Sequence, residues 1–560
     1  MNMKKVIALG MTAAMTVGLM AGCGGSSSSD SASTASSAAA ETSQASSGAA
    51  ETTDTAASGD GVLNFGCQMY GDGHIDPLEQ TNSAWNAMRY GITECLFKFE
   101  DDMSVVPWLA ESYEQNDDMT QFVIKLKDGI KFSDGCDMTA TKVKACFDRM
   151  KTDDDLYGDG SVVGSADASK FLADDAEIVA DDEANTITIN LTTPCINQIG
   201  NLAYPVCAIY DIDDITDWTY GVIGTGPYAV VSHVDLASYE MKANENYYED
   251  VPFQTVNIIF MNDADQKANA LKAGQVDLVE NITNVPALQE LQADDNYVVD
   301  IASGVRCGFS WMNMNEGKLL SDPIIREAIL MAMDYDTICN SATIGGLYTA
   351  GYSVLPSTLS YGYENLTNKW AYNVDEANKI LDDAGYVDTD GDGVREKDGT
   401  PINLTYVSYE NRMLNDFSDI HTQLLKEIGI GVTADYGSSE DQWSKLVAGE
   451  YDFNNNNWTT VGNGDPTEYM ANWYSKADAN YCGYSNADYD AAYEALLQET
   501  DTAKRAELIQ EMQQYLIDDA AVLVDGYYNS SYIYNKSKIG YAHIHTADYY
   551  WLNTEITPAE

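Results

Sequence analysis

Between Gly24 and Asp60 the chain carries no aromatic residue and no apolar side chain larger than alanine. A stretch made almost entirely of Gly, Ser, Ala, Thr, Asp and Glu cannot bury a core, so it is expected to be a disordered tether. Everything that folds must therefore be built from Gly61 onward. Ahead of the tether, Lys4 and Lys5 precede an uncharged apolar run, Val6 to Met20, which ends in Ala21-Gly22. The run is about 15 residues, short of the roughly 20 that cross a bilayer as a helix. Residues 1–22 read as a removable export signal.

Leu19-Met20-Ala21-Gly22-Cys23 resembles a bacterial lipobox, with Met20 where leucine is commoner. The resemblance implies that Cys23 is diacylated and becomes the new N-terminus. Residues 23–60 would then tie the folded part to the outer face of the cell membrane. By random-coil scaling, this tether would reach roughly 35 Å. The alternative is an ordinary secretory signal followed by an incidental cysteine.

The sequence carries 88 acidic and 30 basic residues, a formal net charge of −58. Such a surface repels phosphate backbones and anionic headgroups, which argues against nucleic-acid binding. It serves solubility, or attracts amine-bearing solutes. With 45% hydrophobic residues over this length, two or three lobes are expected. Once Cys23 is set aside, nine of the ten cysteines remain, with no CxxC pair and no zinc spacing, and they read as small buried hydrophobes. Among five histidines, His421 falls on the Phe417/Leu424/Ile428 face of a helix, at the edge of a core. His543 and His545 alternate, so in a strand they would share one face, with a weak case for metal.

Alternating apolar residues predict strands at Phe122/Ile124/Leu126, Ile187/Ile189/Leu191 and Ile402/Leu404/Tyr406. Ser321-Asp-Pro323 opens a predicted helix, and another runs from Asp375 to Ala384 with Gly385 as its stop. Two more are predicted over Asn486–Leu497 and Thr502–Leu516. Mixed elements of this kind imply α/β lobes. Phe132-Ser-Asp-Gly135 and Gly224-Thr-Gly226-Pro227 read as turns in which glycine supplies positive φ. The second lacks the further glycine or the GK[ST] of a phosphate loop.

Several runs occur in a characteristic order: Ile75-Asp76-Pro77, Val106-Pro107-Trp-Leu-Ala110, Phe122 to Gly135, Gly224 to Tyr228, Asn244-Glu-Asn246-Tyr247-Tyr248, Ala270 to Asp277, Ile325-Arg326-Glu-Ala328, Ala377 to Tyr386 and Trp458 to Pro466. Together these resemble the bacterial extracytoplasmic solute-binding proteins of family 5, which serve ABC importers of peptides, nickel complexes and related solutes. The resemblance covers residues 62–550. It implies a two-lobed α/β fold of the periplasmic-binding-protein type II, with an additional inserted lobe and a hinge. Lobe I would be 62–101, 224–306 and 523–560, the accessory lobe 102–223, and lobe III 307–522. The ligand would sit between lobes I and III, favour their closure, and be delivered to the permease subunits by a monomer.

In peptide-binding members the ligand pairs like an added strand. The segments matching those that do this are Trp85-Asn86-Ala87-Met88-Arg89-Tyr90 and Asn457-Trp458-Thr459-Thr460, with core or rim packing as the plain alternative for each residue. The family's acidic residue just after the lobe III tryptophan falls near Val461 or Gly462 here. Asp465 is the acid that remains for a ligand ammonium, although Asp-Pro is equally a turn signal. This departure opens the way to an N-modified, opine-like or metal-chelate ligand. Arg306 could take a carboxylate bidentately, or pack between lobes.

Asp388-Thr-Asp390-Gly-Asp392-Gly393 resembles the start of an EF-hand loop, but Gly399 stands at the twelfth position in place of the bidentate glutamate. Structural calcium and a hydrated turn are both open, and no other cofactor is required. No GxSxG, HExxH or Walker sequence occurs, so an exported enzyme is the weaker rival. A surface sensor or adhesin with the same fold is another.

Overall fold

The computed structural model describes residues 61–151 and 168–560. The export signal, Cys23 and the tether lie outside the described residues. The predicted local elements form where their sequence signals stand. Asp322 caps the helix Pro323–Met331 by accepting from the Ile324 amide. Asn373 caps Val374–Asp383, and Gly385 follows at φ +87°. Asn486 and Asp501 cap Ala487–Leu496 and Thr502–Asp518. A side-chain oxygen on an orphan amide is what each helix start needs.

Among the described residues the main sheet has eleven strands. Its order runs 431–437, 403–409, 453–459, 297–312, 522–535, 278–280, 62–67, 255–260, 238–243 and 228–234, with 348–349 attached to 522–535. Two strands are unusually long, Tyr297–Met312 and Val522–Asn535. They pair antiparallel from Tyr297↔Asn535 to Trp311↔Val522, and their register slips between Ser303 and Arg306 and again after Gly308. Bulges of this kind bend and twist a ribbon. The first half of Tyr297–Met312 and the last half of Val522–Asn535 lie with the strands at 278–280 and 62–67. The other halves lie with 453–459 and 403–409. The fold is thus two-lobed, with one ribbon of two strands crossing between the lobes.

A separate antiparallel sheet, ordered 110–115, 121–126, 186–190 and 177–181, packs under the helix Ala140–Met150. Its inward residues Phe122, Ile124, Ile187 and Ile189 share one continuous core with Phe65 and Trp551 of the first lobe. The second lobe has its own packing around Leu381, Phe417 and Leu425, and around Phe309, Trp311 and Trp473.

The strand Phe453–Thr459 reads Phe-Asn-Asn-Asn-Asn-Trp-Thr, and all four asparagines are buried. Gln442 Nε2 donates to Asn454 Oδ1 and, at 3.0 Å, to Asn456 Oδ1. Asn455 Nδ2 donates to the Leu414 carbonyl at 3.1 Å and Asn457 Nδ2 to Tyr348 Oη at 3.0 Å. A buried polar strand is stable only when its amides are matched in this way.

Three readings change. Gly224 and Gly226 do not take positive φ. A Cβ at Gly224 would stand 1.9 Å from the Ile92 carbonyl oxygen, and one at Gly226 2.3 Å from that of Gly91. Close backbone approach is what excludes a side chain there, whereas Gly135 does take φ +95°. His543 and His545 lie in a loop after the strand Ile539–Tyr541. His543 bridges Asp300 Oδ2 at 2.8 Å and Asp101 Oδ2 at 3.0 Å, so both its nitrogens are engaged. His421 is fully buried, with Nδ1 on Tyr406 Oη at 3.0 Å, and burial pushes its pKa down to about 3. All nine described cysteines are free, and seven are buried. No helix among the described residues is long and apolar enough to cross a membrane.

Candidate functional site

A cavity of about 460 Å³ opens beside the crossing ribbon. Five of the expected site residues line it: Arg306, Asn457, Trp458, Thr459 and Asp465. Strand register explains the grouping, because Arg306 pairs with Thr459, Cys307 with Trp458 and Gly308 with Asn457. Arg306 Nη1 also donates to the Asn457 carbonyl at 3.2 Å. The Trp458 ring stands edge-on to Trp311 at 4.8 Å and Phe309 at 6.0 Å, so one edge is held by core while the residue stays half-exposed. Buried Asn457 Oδ1 has no protein partner.

Trp85, Asn86, Arg89 and Tyr90 stand behind this cavity. Trp85 Nε1 donates to Tyr204 Oη at 3.2 Å, and Tyr204 does line it. Asn86 is buried and donates to the Tyr70 and His74 carbonyls. Arg89 donates to the Asp548 carbonyl at 2.8 Å and to its carboxylate at 3.0 Å, under the faces of Tyr70, Trp551 and Trp85. Tyr90 is fully buried.

Asp465 lines the cavity with its carboxylate already taken. Oδ2 accepts from Arg505 Nη2 at 2.6 Å, and Oδ1 accepts from the Thr467 amide at 2.8 Å. Val461, at the family's acidic position, is fully buried. The acid that faces the mouth is Glu468, 3.3 Å from Lys170 of the inserted lobe.

Sequence reasoning missed much of the wall. Tyr204 stacks on Phe171 at 4.2 Å and 10°. Trp443, 44% exposed, stands 6.3 Å from Trp458 and 5.6 Å from Tyr481. Arg412, outside this lining but near enough to act on Arg306, was not singled out either. It sits at φ +41° ahead of Met413 at +61°, two consecutive left-handed residues without glycine. Strain of this kind persists only where the surroundings hold it.

The cavity is lined by two basic residues, Lys170 and Arg306, and two acidic ones, Asp465 and Glu468. Burial, then repulsion by Arg412, lowers the Arg306 pKa to about 10, with Arg89 adding to the repulsion. Burial also works against the charge of Arg412, but Tyr70, Tyr528, Tyr348 and Asp548 outweigh it and raise its pKa. Asp548 is already paired with Arg89, and Glu280 with Lys267 at 2.9 Å. Among the described residues neither Arg306 nor Arg412 has an ion-pair partner. In a chain with 88 acidic and 30 basic residues, Arg306 on the cavity wall, with Arg412 near enough to repel it, favours an anion there.

Asp388, Asp390 and Asp392 hold carboxylate oxygens within 4.8 Å of one another. The same oxygens accept from the amides of Gly391, Asp392, Gly393 and Val394. Glu396 Oε1 accepts from the Thr389 amide at 2.8 Å, at the edge of the loop.

Residues 104–481 match the family model described as the bacterial extracellular solute-binding proteins, family 5. The oligopeptide-binding protein AppA of Bacillus subtilis is 23% identical over 457 residues, 80% of this chain and 82% of that one. The nickel-binding protein NikA of Staphylococcus aureus is 25% identical over 424 residues, 75% and 79% of the two chains. The crystal structure of NikA from Brucella suis in complex with Fe(III)-EDTA superposes with a TM-score of 0.77 at 21% identity, covering 89% of this chain and 99% of that one.

Proposed function

This chain belongs to family 5 of the bacterial extracellular solute-binding proteins, and from that premise we propose that it captures a small solute bearing a carboxylate, in the first place a short peptide, for an ABC importer. The observation that carries the carboxylate is the pair Arg306 and Arg412. Both are partly buried, mutually repelling, and without an acidic partner among the described residues. A ligand carboxylate would remove that repulsion and accept charge-assisted hydrogen bonds. Trp458, Trp443 and Tyr481 offer flat apolar faces to side chains, and the buried Asn457 Oδ1 lacks a protein partner.

Closure follows from the same contacts. Arg306 sits on the crossing ribbon, beside its register slip, and Arg412 belongs to the second lobe. A solute that touches both lobes binds the closed form better and shifts the hinge equilibrium toward it. The closed form is then read by the permease, and no covalent step is needed. The lobe limits expected from sequence, with one crossing at Arg306, are our division of the molecule. The register slip between Ser303 and Arg306 supports it. A diacylated Cys23 would hold this receptor at the outer face of the membrane.

The second reading is a metal chelate. The nickel-binding relative supports it, and so does the arginine pair, since a chelator can bring both the metal ligands and the carboxylates. Native mass spectrometry of the purified protein, before and after mild unfolding, separates the two. Release of a peptide ladder supports the first reading. Release of a metal complex, or stabilisation by a nickel chelate and by no peptide mixture, overturns it in favour of the second.

A further inference from the structure

A second cavity, of about 340 Å³, lies where the first lobe meets the inserted lobe, and it shares no lining residue with the interlobe cleft. One acid on its wall is out of the ordinary. Glu94 is fully buried, and its Oε1 accepts from both Tyr247 Oη and Tyr248 Oη at 2.8 Å. Its Oε2 is buried with no hydrogen bond of good geometry. The nearest help is Thr225, whose hydroxyl is likewise unpaired and lies close enough to favour the ionised form. A buried carboxylate oxygen left without a donor costs free energy that a bound donor would recover.

The rest of the wall suits a cation. Trp108 stands edge-on to Tyr550 at 5.4 Å, and the Tyr247 and Tyr248 rings lie 4.3 Å apart. Lys127 Nζ stands 5.7 Å from the centre of the Tyr248 ring, so an ammonium is already accepted at this aromatic surface. The charges lining the cavity leave a negative excess. Glu100 faces Lys98 at 4.0 Å and Asp101 is held by His543, which leaves Glu94, Glu249 and Glu555 against Lys127.

We propose that this cavity is a second binding site, for a small protonated primary amine whose ammonium donates to Glu94 Oε2 among the faces of Trp108, Tyr248 and Tyr550. The site stands apart from solute capture in the cleft and does not depend on it.

Proton balance gives the site a signature. Burial pushes the Glu94 carboxyl up to about 7, against the hydrogen bonds of Tyr248 and Tyr247 and the nearby Thr225 hydroxyl, with Glu249 adding to the rise. Binding to the protonated form therefore converts the Glu94 carboxylic acid and a free alkylammonium into a carboxylate–ammonium pair and one released proton. The ammonium prefers the ionised carboxylate, so affinity rises with pH.

Calorimetric titration of the purified protein with n-butylammonium chloride, against sodium chloride at equal ionic strength, tests this. One site is expected, tighter by about tenfold at pH 8 than at pH 6, as titration of one carboxyl near neutrality requires. Proton release, seen as a dependence of the heat on the buffer, is expected at the lower pH. Glu94→Gln should weaken binding about tenfold and remove the pH dependence. Trp108→Ala, at a half-exposed position, should weaken it without touching the buried carboxyl, so the test survives if Glu94→Gln does not fold. Arg306→Ala should leave it unchanged. No binding beyond sodium chloride, a pH-independent affinity, or loss in Arg306→Ala would overturn the proposal.

Discussion

Arg306 donates from Nη1 to the carbonyl of Asn457 across 3.2 Å, which ties the crossing ribbon to the strand that carries Trp458. The guanidinium keeps most of its donors for something else, and Arg412 repels it. Removing either charge should therefore weaken solute capture and spare the fold. Arg306→Ala and Arg412→Ala are each expected to lose about 1.5–3 kcal/mol of binding, roughly ten- to hundredfold in Kd. Arg306→Lys should recover only part of this, because an ammonium lacks the planar fork. Calorimetry with the solute identified by mass spectrometry provides the check. An unchanged Kd in both alanine variants would remove the arginine pair from the site.

Asp465 behaves differently from a ligand anchor. Its carboxylate is 15% exposed and engaged by Arg505 and the Thr467 amide. Asp465→Ala takes the one carboxylate from a nearly buried arginine among the described residues, so it should cost about 1.5–3 kcal/mol of stability. Denaturant unfolding reads this directly. A variant of wild-type stability that fails to bind amine-terminated solutes would return Asp465 to the role of ammonium anchor.

Trp443 stands at the mouth of the cavity with 44% of its surface exposed. Trp443→Ala should leave the melting temperature within about 2 °C, as surface substitutions do. It should also lower affinity for solutes with aromatic or long apolar side chains more than for alanine-rich ones. Equal losses across such a series would make Trp443 a packing residue alone.

His543 joins Asp300 of the crossing ribbon to Asp101 at the entry to the inserted lobe. Burial works against its charge, but the two aspartates outweigh it and raise its pKa. A raised value means that the stabilisation is complete below the unfolded value of about 6.5 and is lost as pH climbs through the folded value. Between about pH 6 and pH 9 the melting temperature of the wild type should fall relative to His543→Gln. Parallel curves would show that the bridge contributes nothing.

The loop of Asp388, Asp390 and Asp392 lacks the bidentate twelfth ligand of an EF-hand. On our reading it takes calcium weakly, at about 0.1–1 mM as in extracellular modules. Millimolar calcium should raise the melting temperature of the wild type and not that of Asp390→Asn. The same rise in both would leave a hydrated turn.

Local signals in the sequence carried far. Asp322-Pro323, Asn373 and Gly385 mark helix ends because capping is settled within a few residues. The order of the family's motifs led to the two-lobed fold. The run Asn454–Asn457 carries no sequence sign of a buried strand. Its burial depends on Gln442 and Leu414, which stand in other elements. Gly224 and Gly226 were correctly singled out, but the cause is the backbone of residues 91 and 92, far away along the chain. Trp458 and Arg306 were legible from their segments. Tyr204 and Trp443 were not, since each reaches the cleft from an element that local periodicity cannot place beside it.

On the proposed function, the captured solute is held by its carboxylate on Arg306 and Arg412. The most direct measurement is a calorimetric cycle: the solute released on unfolding and the same solute amidated at its carboxylate, each titrated into the wild type and into the Arg306→Ala/Arg412→Ala double variant. Amidation is expected to cost the wild type about tenfold or more in Kd and to cost the double variant nothing further. Equal affinity of the wild type for the acid and the amide would contradict it.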